Sequence, residues 1–259
     1  MKNSIFLLFI LIAFSNCKNK DTKEVETISD KASTKLEKQL IEVFKAKDRI
    51  SIDGVADDAA WQNNKWYPID QVWLGDSLSD TDFSGRYKLS WSDEALYILA
   101  EIKDDTLIDK TKNPLVNWWD DDCLEIFVDE DNSGGEHQFN HNAFAYHIAL
   151  DGNIVDMATT QEGKLFNSHI QSEVSTTNTV SIWEVKMLLF DDSYNDDNNA
   201  INTPIKLKAN KKVGFALAYC DNDYSETREH FIGSVAVEGD DKNRGWIDAN
   251  IFGTLLLLD

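Results

Sequence analysis

A two-sheet antiparallel β-sandwich is the fold class this sequence predicts, and three observations carry that expectation. From about Val43 to Asp259, short segments of alternating or continuous apolar character recur between polar turns. No long stretch has a convincing helical period; "DDAAWQNN" around Trp61 supplies at most one short turn of helix. Many strands with almost no helix, over a length that suits one large domain, lead to an all-β sandwich of the jelly-roll or immunoglobulin-like kind.

In chain order, the first element stands outside the fold. "MKNSIFLLFILIAFSNC" places Lys2 before an apolar run from Ile5 to Phe14 and then Cys17, the layout of a secretory signal. The run is short for a membrane span, and Cys17 resembles the lipobox cysteine of bacterial lipoproteins, although Phe14 and Asn16 depart from the usual pattern. That resemblance implies a signal peptide over residues 1–17 and lipid attachment at Cys17. Lys18 follows it, so an aspartate retention signal is absent there and the expected location is the outer membrane of the cell envelope. Residues 18–42 are charged and poor in large apolar side chains, and read as a flexible tether to a domain over 43–259.

Within that domain "GRYKLSWS" and "ALYILAEIK" flank a short acidic turn and read as a hairpin. Further strands are expected at "CLEIFVDE", "FAYHIALD", "NIVDMA", "SHIQSEVS", "TVSIWEVKMLLF", "KVGFALAYCD" and the closing "FGTLLLL". In "CLEIFVDE" the alternation sends Leu124, Ile126 and Val128 to one face and Cys123, Glu125, Phe127 and Asp129 to the other. The first face reads as inter-sheet core. A carboxylate in mid-strand makes the second a wet, concave or partner-facing surface.

The formal net charge of −21 excludes nucleic acid as an expected partner, because phosphate binding needs a basic surface. Clustered carboxylates can instead hold calcium. "DEDNSGG" sets Asp129, Asp131 and Ser133 at alternate positions before Gly134, like the start of an EF-hand loop, but Asn140 stands where the bidentate Glu would be. "CDNDYSE" offers Asp221, Asp223 and Glu226 in a similar way. Calcium at one or more of these loops is therefore the expected cofactor, against solvated turn carboxylates as the alternative.

Other chemistry is weaker. His137 and His141 lie in a strand or loop context and read as polar surface residues. Cys123 and Cys220 lie in apolar strand contexts and read as buried thiols rather than a disulfide. Asp120, Asp121, Asp122 and Glu125 could supply a glycosidase's two carboxylates, but no nucleophile elbow, Cys/His pair or phosphate loop accompanies them, so no catalytic residue is assigned. Among the tryptophans, Trp61, Trp91 and Trp183 lie in apolar segments and read as core, whereas Trp118, Trp119 and Trp246 sit in polar loops. Loop tryptophans beside carboxylates and amides are suited to stacking on sugar rings while polar neighbours bond the hydroxyls.

Six segments, "IDGVADDAAW", "LSWSDEALYILAEIKDD", "WWDDDCLEIFVDED", "WEVKMLLF", "VGFALAYCDND" and "FGTLLLL", occur in the order found in carbohydrate-binding module family 9, and the chain resembles that family over nearly all of the domain. The resemblance implies a β-sandwich with structural calcium and a sugar held between two tryptophans. By motif those are Trp119, six residues before the strand residue Glu125, and Trp246, six residues before Phe252. Asn243, three residues before Trp246, joins Glu125 and Gln138 as hydroxyl partners, and Asn140 stands where binding members have an arginine after "QF". A strand glutamine used by those members is Ala218 here. The implied function is a non-catalytic carbohydrate-binding lipoprotein that captures glucan- or xylan-like oligo- or polysaccharides, anchored to the membrane and working with envelope glycan-degrading enzymes. A hydrolase using the acidic cluster, and a sandwich binding haem or another small ligand, are the alternatives.

Overall fold

The computed structural model describes residues 38–198 and 201–259. Cys17 and the signal-like segment lie outside the described residues. The elements are β1 (Leu40–Phe44), α1 (Ala59–Gln62), β2 (Tyr67–Ile69), β3 (Gln71–Leu74), β4 (Phe83–Trp91), β5 (Leu96–Asp104), β6 (Cys123–Asp129) and β7 (Phe144–Ala149). They continue as β8 (Ile154–Met157), β9 (Gly163–Leu165), β10 (Ile170–Thr177), β11 (Val180–Met187), β12 (Lys212–Asp221), β13 (His230–Gly233), a 3-10 turn (Ala249–Ile251) and β14 (Gly253–Leu258).

Two sheets form. The larger has nine strands along the path β1-β14-β12-β6-β7-β8-β9, with β13 and β3 added at β12; the smaller has five, in the order β10-β11-β5-β4-β2. The expected hairpin is β4–β5, with Leu89 opposite Ile98. One pairing departs from an antiparallel sandwich: β1 runs parallel to β14, Leu40 beside Thr254 through Phe44 beside Leu258. Parallel neighbours need a long connection, and here nearly the whole domain supplies it. β1 also begins at Leu40, inside the segment read as tether.

The expected core is where the alternation puts it. Leu124, Ile126 and Val128 pack with Tyr146, Leu217 and Tyr219 of the larger sheet against Leu89, Ile98, Ala100, Trp183 and Val185 of the smaller. Trp61, Trp91 and Trp183 are each 1% exposed. Trp61 and Trp91 spend their indole N–H groups on Glu184 Oε1 (2.9 Å) and Leu258 O (2.8 Å), so their burial leaves that donor satisfied.

The other face of β6, expected to be wet, concave or partner-facing, is concave and covered. Every residue of β6 is buried, and Cys123 and Phe127 join Trp73, Ala145, Ala216, Ala218, Cys220, Phe231 and Phe252 in a second apolar cluster, with Trp246 packed on it. Small side chains on β7 and β12 leave room there, filled by Trp73 of β3, Phe231 of β13 and aromatics of the loops before β14. Gly245 shows how close the cover lies: a Cβ there would meet the Phe127 ring at 2.8 Å.

Candidate functional site

Between these loops and the larger sheet lies a cavity of about 250 Å³, lined by Trp118, Trp119, Glu125, Ala145, His147, Asp156, Met157, Arg228, Asn243 and Trp246. Three tryptophans and a few convergent polar groups are the usual make-up of a small-ligand site.

The acidic run before β6 explains how the tryptophans are presented. Asn117 takes a left-handed backbone (φ 52°), and the turn is closed by Asp120 N–H donating to Asn117 O at 2.9 Å. Asp121 Oδ2 accepts from the backbone N–H of Lys110 (3.1 Å) and Thr111 (2.7 Å). Asp122 accepts from the N–H groups of Ile108 and Asn222. Asp120 accepts from Arg228 N–H at 3.3 Å. These buried carboxylates therefore pin the loops on either side, and Asp120 and Asp122 anchor the segment that carries Arg228. All three bond backbone donors, and none of them lines this cavity.

Trp118 stands edge-on to Trp119, with ring centroids 4.8 Å apart, and to His147 at 6.2 Å. Gly163 on β9 lets Trp118 lie that close, since a Cβ there would sit 2.4 Å from the ring. Trp246 is held from below: His137 donates its ring N–H to Gly245 O (2.7 Å) and its backbone N–H to Ile247 O (2.8 Å). His137 and His141 are thus buried, at 4% and 5% exposure, rather than surface residues. Burial pushes both rings below the ordinary histidine pKa.

The polar floor is set by strand register. Glu125 on β6 lies between His147 on β7 and Ala218 on β12. Its Oε2 is 3.0 Å from His147 Nε2 and 3.9 Å from Arg228 Nη1. Burial raises the Glu125 pKa, and the nearby His147 charge works against that rise. For His147, burial is the largest influence and opposes the charged form, but the Glu125 carboxylate and Cys220 together outweigh it and lift the imidazole to about 10. On the other side, Ala218 contributes only a methyl, and Arg228 reaches in over Phe231 (4.1 Å) to donate to Asn243 Oδ1 (3.1 Å) and Cys220 Sγ (3.0 Å).

Four residues expected at the site, Trp119, Glu125, Asn243 and Trp246, line one cavity. Gln138 and Asn140 do not. Asn140 is exposed, its amide donating to Glu136 O (3.2 Å) and its Oδ1 accepting from Asn142 N–H (2.9 Å), so it closes a turn instead of replacing an arginine. The guanidinium comes from Arg228, from elsewhere in the chain.

The carboxylates expected to hold metal fall into separate groups. Asp221 clusters with Asp104 and Asp122, and Asp223 with Asp82 and Asp105, in each case with one oxygen per residue within 4.8 Å of the others. Glu226 is exposed and belongs to neither. Burial raises Asp104, Asp122 and Asp221 to about 6, 9 and 7. Asp129 sits at 1% exposure with Oδ2 accepting Gly134 N–H (2.7 Å), while Asp131 Oδ1 accepts Ser133 N–H (3.0 Å). Asp129 Oδ1 and Asp223 Oδ1 are buried without a hydrogen-bond partner.

The family described as "Carbohydrate family 9 binding domain-like" matches residues 52–259, and the chain belongs to it. Among solved structures, a family 9 module from Caldicellulosiruptor kristjanssonii in complex with cellotriose is similar at a TM-score of 0.64 and 20% identity, over 85% of this chain and 94% of that one. The same organism's module in complex with glucose gives a TM-score of 0.60 at 20% identity, over 83% and 95%. At this identity the likeness speaks for the fold. Among curated proteins, endo-1,4-beta-xylanase A of Thermotoga neapolitana is 36% identical over 81 residues, 31% of this chain and 7% of the xylanase. Exoglucanase XynX of Acetivibrio thermocellus is 26% identical over 210 residues, 80% of this chain and 16% of the exoglucanase. The chain thus spans only a small part of the length of these relatives.

Proposed function

We propose that this protein is a non-catalytic saccharide-binding module whose ligand ring lies against Trp119 and Trp246. The observation that carries this is the tryptophan-walled cavity with Glu125, Asn243 and Arg228 on its floor. The two indoles offer apolar faces to the C–H face of a pyranose; the carboxylate accepts from hydroxyls, and the guanidinium and amide donate to them. At about 0.5–1.5 kcal/mol per stacked face beyond area burial, plus several hydrogen bonds, affinity falls in the range of about micromolar to millimolar. Gluco-configured oligosaccharides, of the glucan or xylan kind, are the proposed ligands, since related modules are complexed with cellotriose and glucose. Titration of tryptophan fluorescence with cello- and xylo-oligosaccharides tests the reading: quenching that saturates in the parent and vanishes in W119A and W246A supports it. Unchanged quenching in both variants removes the site.

Calcium is proposed as a structural ion. The donor set is all oxygen, with clustered carboxylates and, at Asp129 and Asp223, a buried oxygen lacking a partner. Asp82, Asp105 and Asp223 would hold one ion and Asp129, Asp131 and Ser133 contribute to another. Bound calcium neutralises like charges and ties the turn after β5 to the turn after β12. Lipid attachment at Cys17, with outer-membrane location and a role beside envelope glycan-degrading enzymes, is proposed from the lipobox-like segment; loss of membrane association in C17S is its test.

A further inference from the structure

Beneath the tryptophans lie two thiols that saccharide binding does not use. Cys123 and Cys220 face each other across the β6–β12 ladder, and His147 comes in from β7 on the other side of β6. One ligand atom from each of Cys123, His147 and Cys220 lies within 4.8 Å of the other two, and all three residues are buried. A tetrahedral zinc ion with Zn–S near 2.3 Å and Zn–N near 2.0–2.1 Å separates its ligand atoms by roughly 3.3–3.8 Å. Side-chain adjustment of about an ångström therefore closes this cluster on an ion.

We propose that Cys123, Cys220 and His147 form a zinc site, with Glu125 as the fourth ligand. The imidazole is already oriented for it. Its Nδ1 faces Ala145 O at 3.3 Å, the backbone carbonyl partner typical of a ligating histidine, which leaves Nε2 directed at Glu125 and the thiols. Glu125 Oε2 stands 3.0 Å from that Nε2 and 3.9 Å from Cys220 Sγ, within reach of the fourth corner by a side-chain rotation toward Cys123.

Charge selects the ion. Two thiolates and a carboxylate with a neutral imidazole carry three negative charges, and a divalent cation with the Arg228 guanidinium, 3.0 Å from Cys220 Sγ, offsets all three. Thiolate with imidazole is the donor mixture zinc favours, whereas calcium and magnesium take oxygen. An approach exists as well. A small cavity of about 20 Å³ on the far side is lined by Cys123 and His147 together with Asp109, Asp121 and Asp151, an acidic entry for a cation. Cys123 Sγ lies 3.9 Å from Trp118 O, and Cys220 Sγ lies 3.9 Å from Glu125 and accepts from Arg228 at 3.0 Å.

The site stands on its own geometry and shares only Glu125 and His147 with the saccharide cavity, so either reading can fail without the other. Cobalt(II) is the probe. The reduced protein should take up one cobalt per chain with intense visible bands of tetrahedral geometry and a thiolate charge-transfer band, and zinc should displace it stoichiometrically. The bands should disappear in C123S and in C220S. Because either variant could unfold, the parent supplies a second readout: zinc should protect both native thiols from a disulfide-exchange reagent. Weak octahedral cobalt spectra, bands surviving in both folded serine variants, or thiols equally reactive with and without zinc would overturn the proposal.

Discussion

Leu124, Ile126 and Val128 on one face of β6, and Cys123, Glu125 and Phe127 on the other, see equally little water yet meet different things. The first set meets the smaller sheet, an apolar surface of regular strands, and does nothing but fill it. The second meets loops hung from Asp120, Asp121 and Asp122, and these leave a cavity with polar groups aimed into it. Burial alone therefore does not separate structure from function in this strand. What separates them is whether the opposing layer is a sheet or a set of tethered loops.

Substitution on the sheet-facing side should have the largest effect. Ile126→Ala leaves a cavity between two sheets that cannot collapse, at a cost of about 2–5 kcal/mol, or roughly 4–20 °C in Tm for a domain this size. Calorimetry should show that loss with saccharide affinity of the folded protein unchanged; altered affinity would mean that the two faces are coupled.

The acidic turns come next, and their sign is fixed by the raised carboxyls. Asp104, Asp122 and Asp221, at about 6, 9 and 7, lie above their unfolded values. The stability they contribute is full below about pH 4 and is lost as pH rises through those values. His147, raised to about 10, acts in the same direction above its unfolded value. His169, lowered to about 3 by burial, acts oppositely, losing its contribution as pH falls below about 6.5. The His230 imidazole faces the cluster, its Nδ1 3.0 Å from Asp221 Oδ2. Chelated protein should therefore lose Tm steadily between pH 6.5 and 9. Among the carboxyls proposed to hold calcium, burial raises Asp129 to about 6 and also raises Asp223, so calcium at about a hundred times its Kd should add about 2.7 kcal/mol, or about 5–10 °C, mostly on the alkaline side. A calcium-independent pH profile would remove the ion from these turns.

On the loop-facing side the effects are on binding. Trp119→Ala should weaken saccharide at least tenfold, about 1.4 kcal/mol, with Tm nearly unchanged because Trp119 is only half-buried. Arg228→Met should reduce affinity less than Trp119→Ala but more than Asn140→Ala, whose side chain serves a turn and should leave affinity within about twofold. Equal losses at Arg228 and Asn140, measured by calorimetric titration, would break this ordering.

Periodicity reached the sheet-facing side in full, because a two-residue repeat is a local signal: Leu124, Ile126 and Val128 could be assigned from "CLEIFVDE" itself. It missed β1, β2, β3, β9 and β13, each three to five residues long, and β1 and β3 pair only with strands far away in sequence. Motif spacing picked out Trp119, Glu125, Asn243 and Trp246, which line one cavity. It could not reach His147, whose role depends on the register that sets it opposite Glu125. Nor could it reach Arg228, which arrives on a loop held by Asp120. Asn140 was misplaced because position after a motif was taken for position in space. The adjacent tryptophans and the aspartates behind them are one device: the acids hold the turn that presents the rings.

The most direct test of the account is the indole N–H region of a proton–nitrogen correlation spectrum during titration with cellotriose. The eight tryptophans should divide, with the Trp119 and Trp246 signals shifting progressively and saturably, and those of the core residues Trp61, Trp91 and Trp183 staying in place. A saturable titration that leaves Trp119 and Trp246 unmoved, or no saturable shift at any indole, would contradict it.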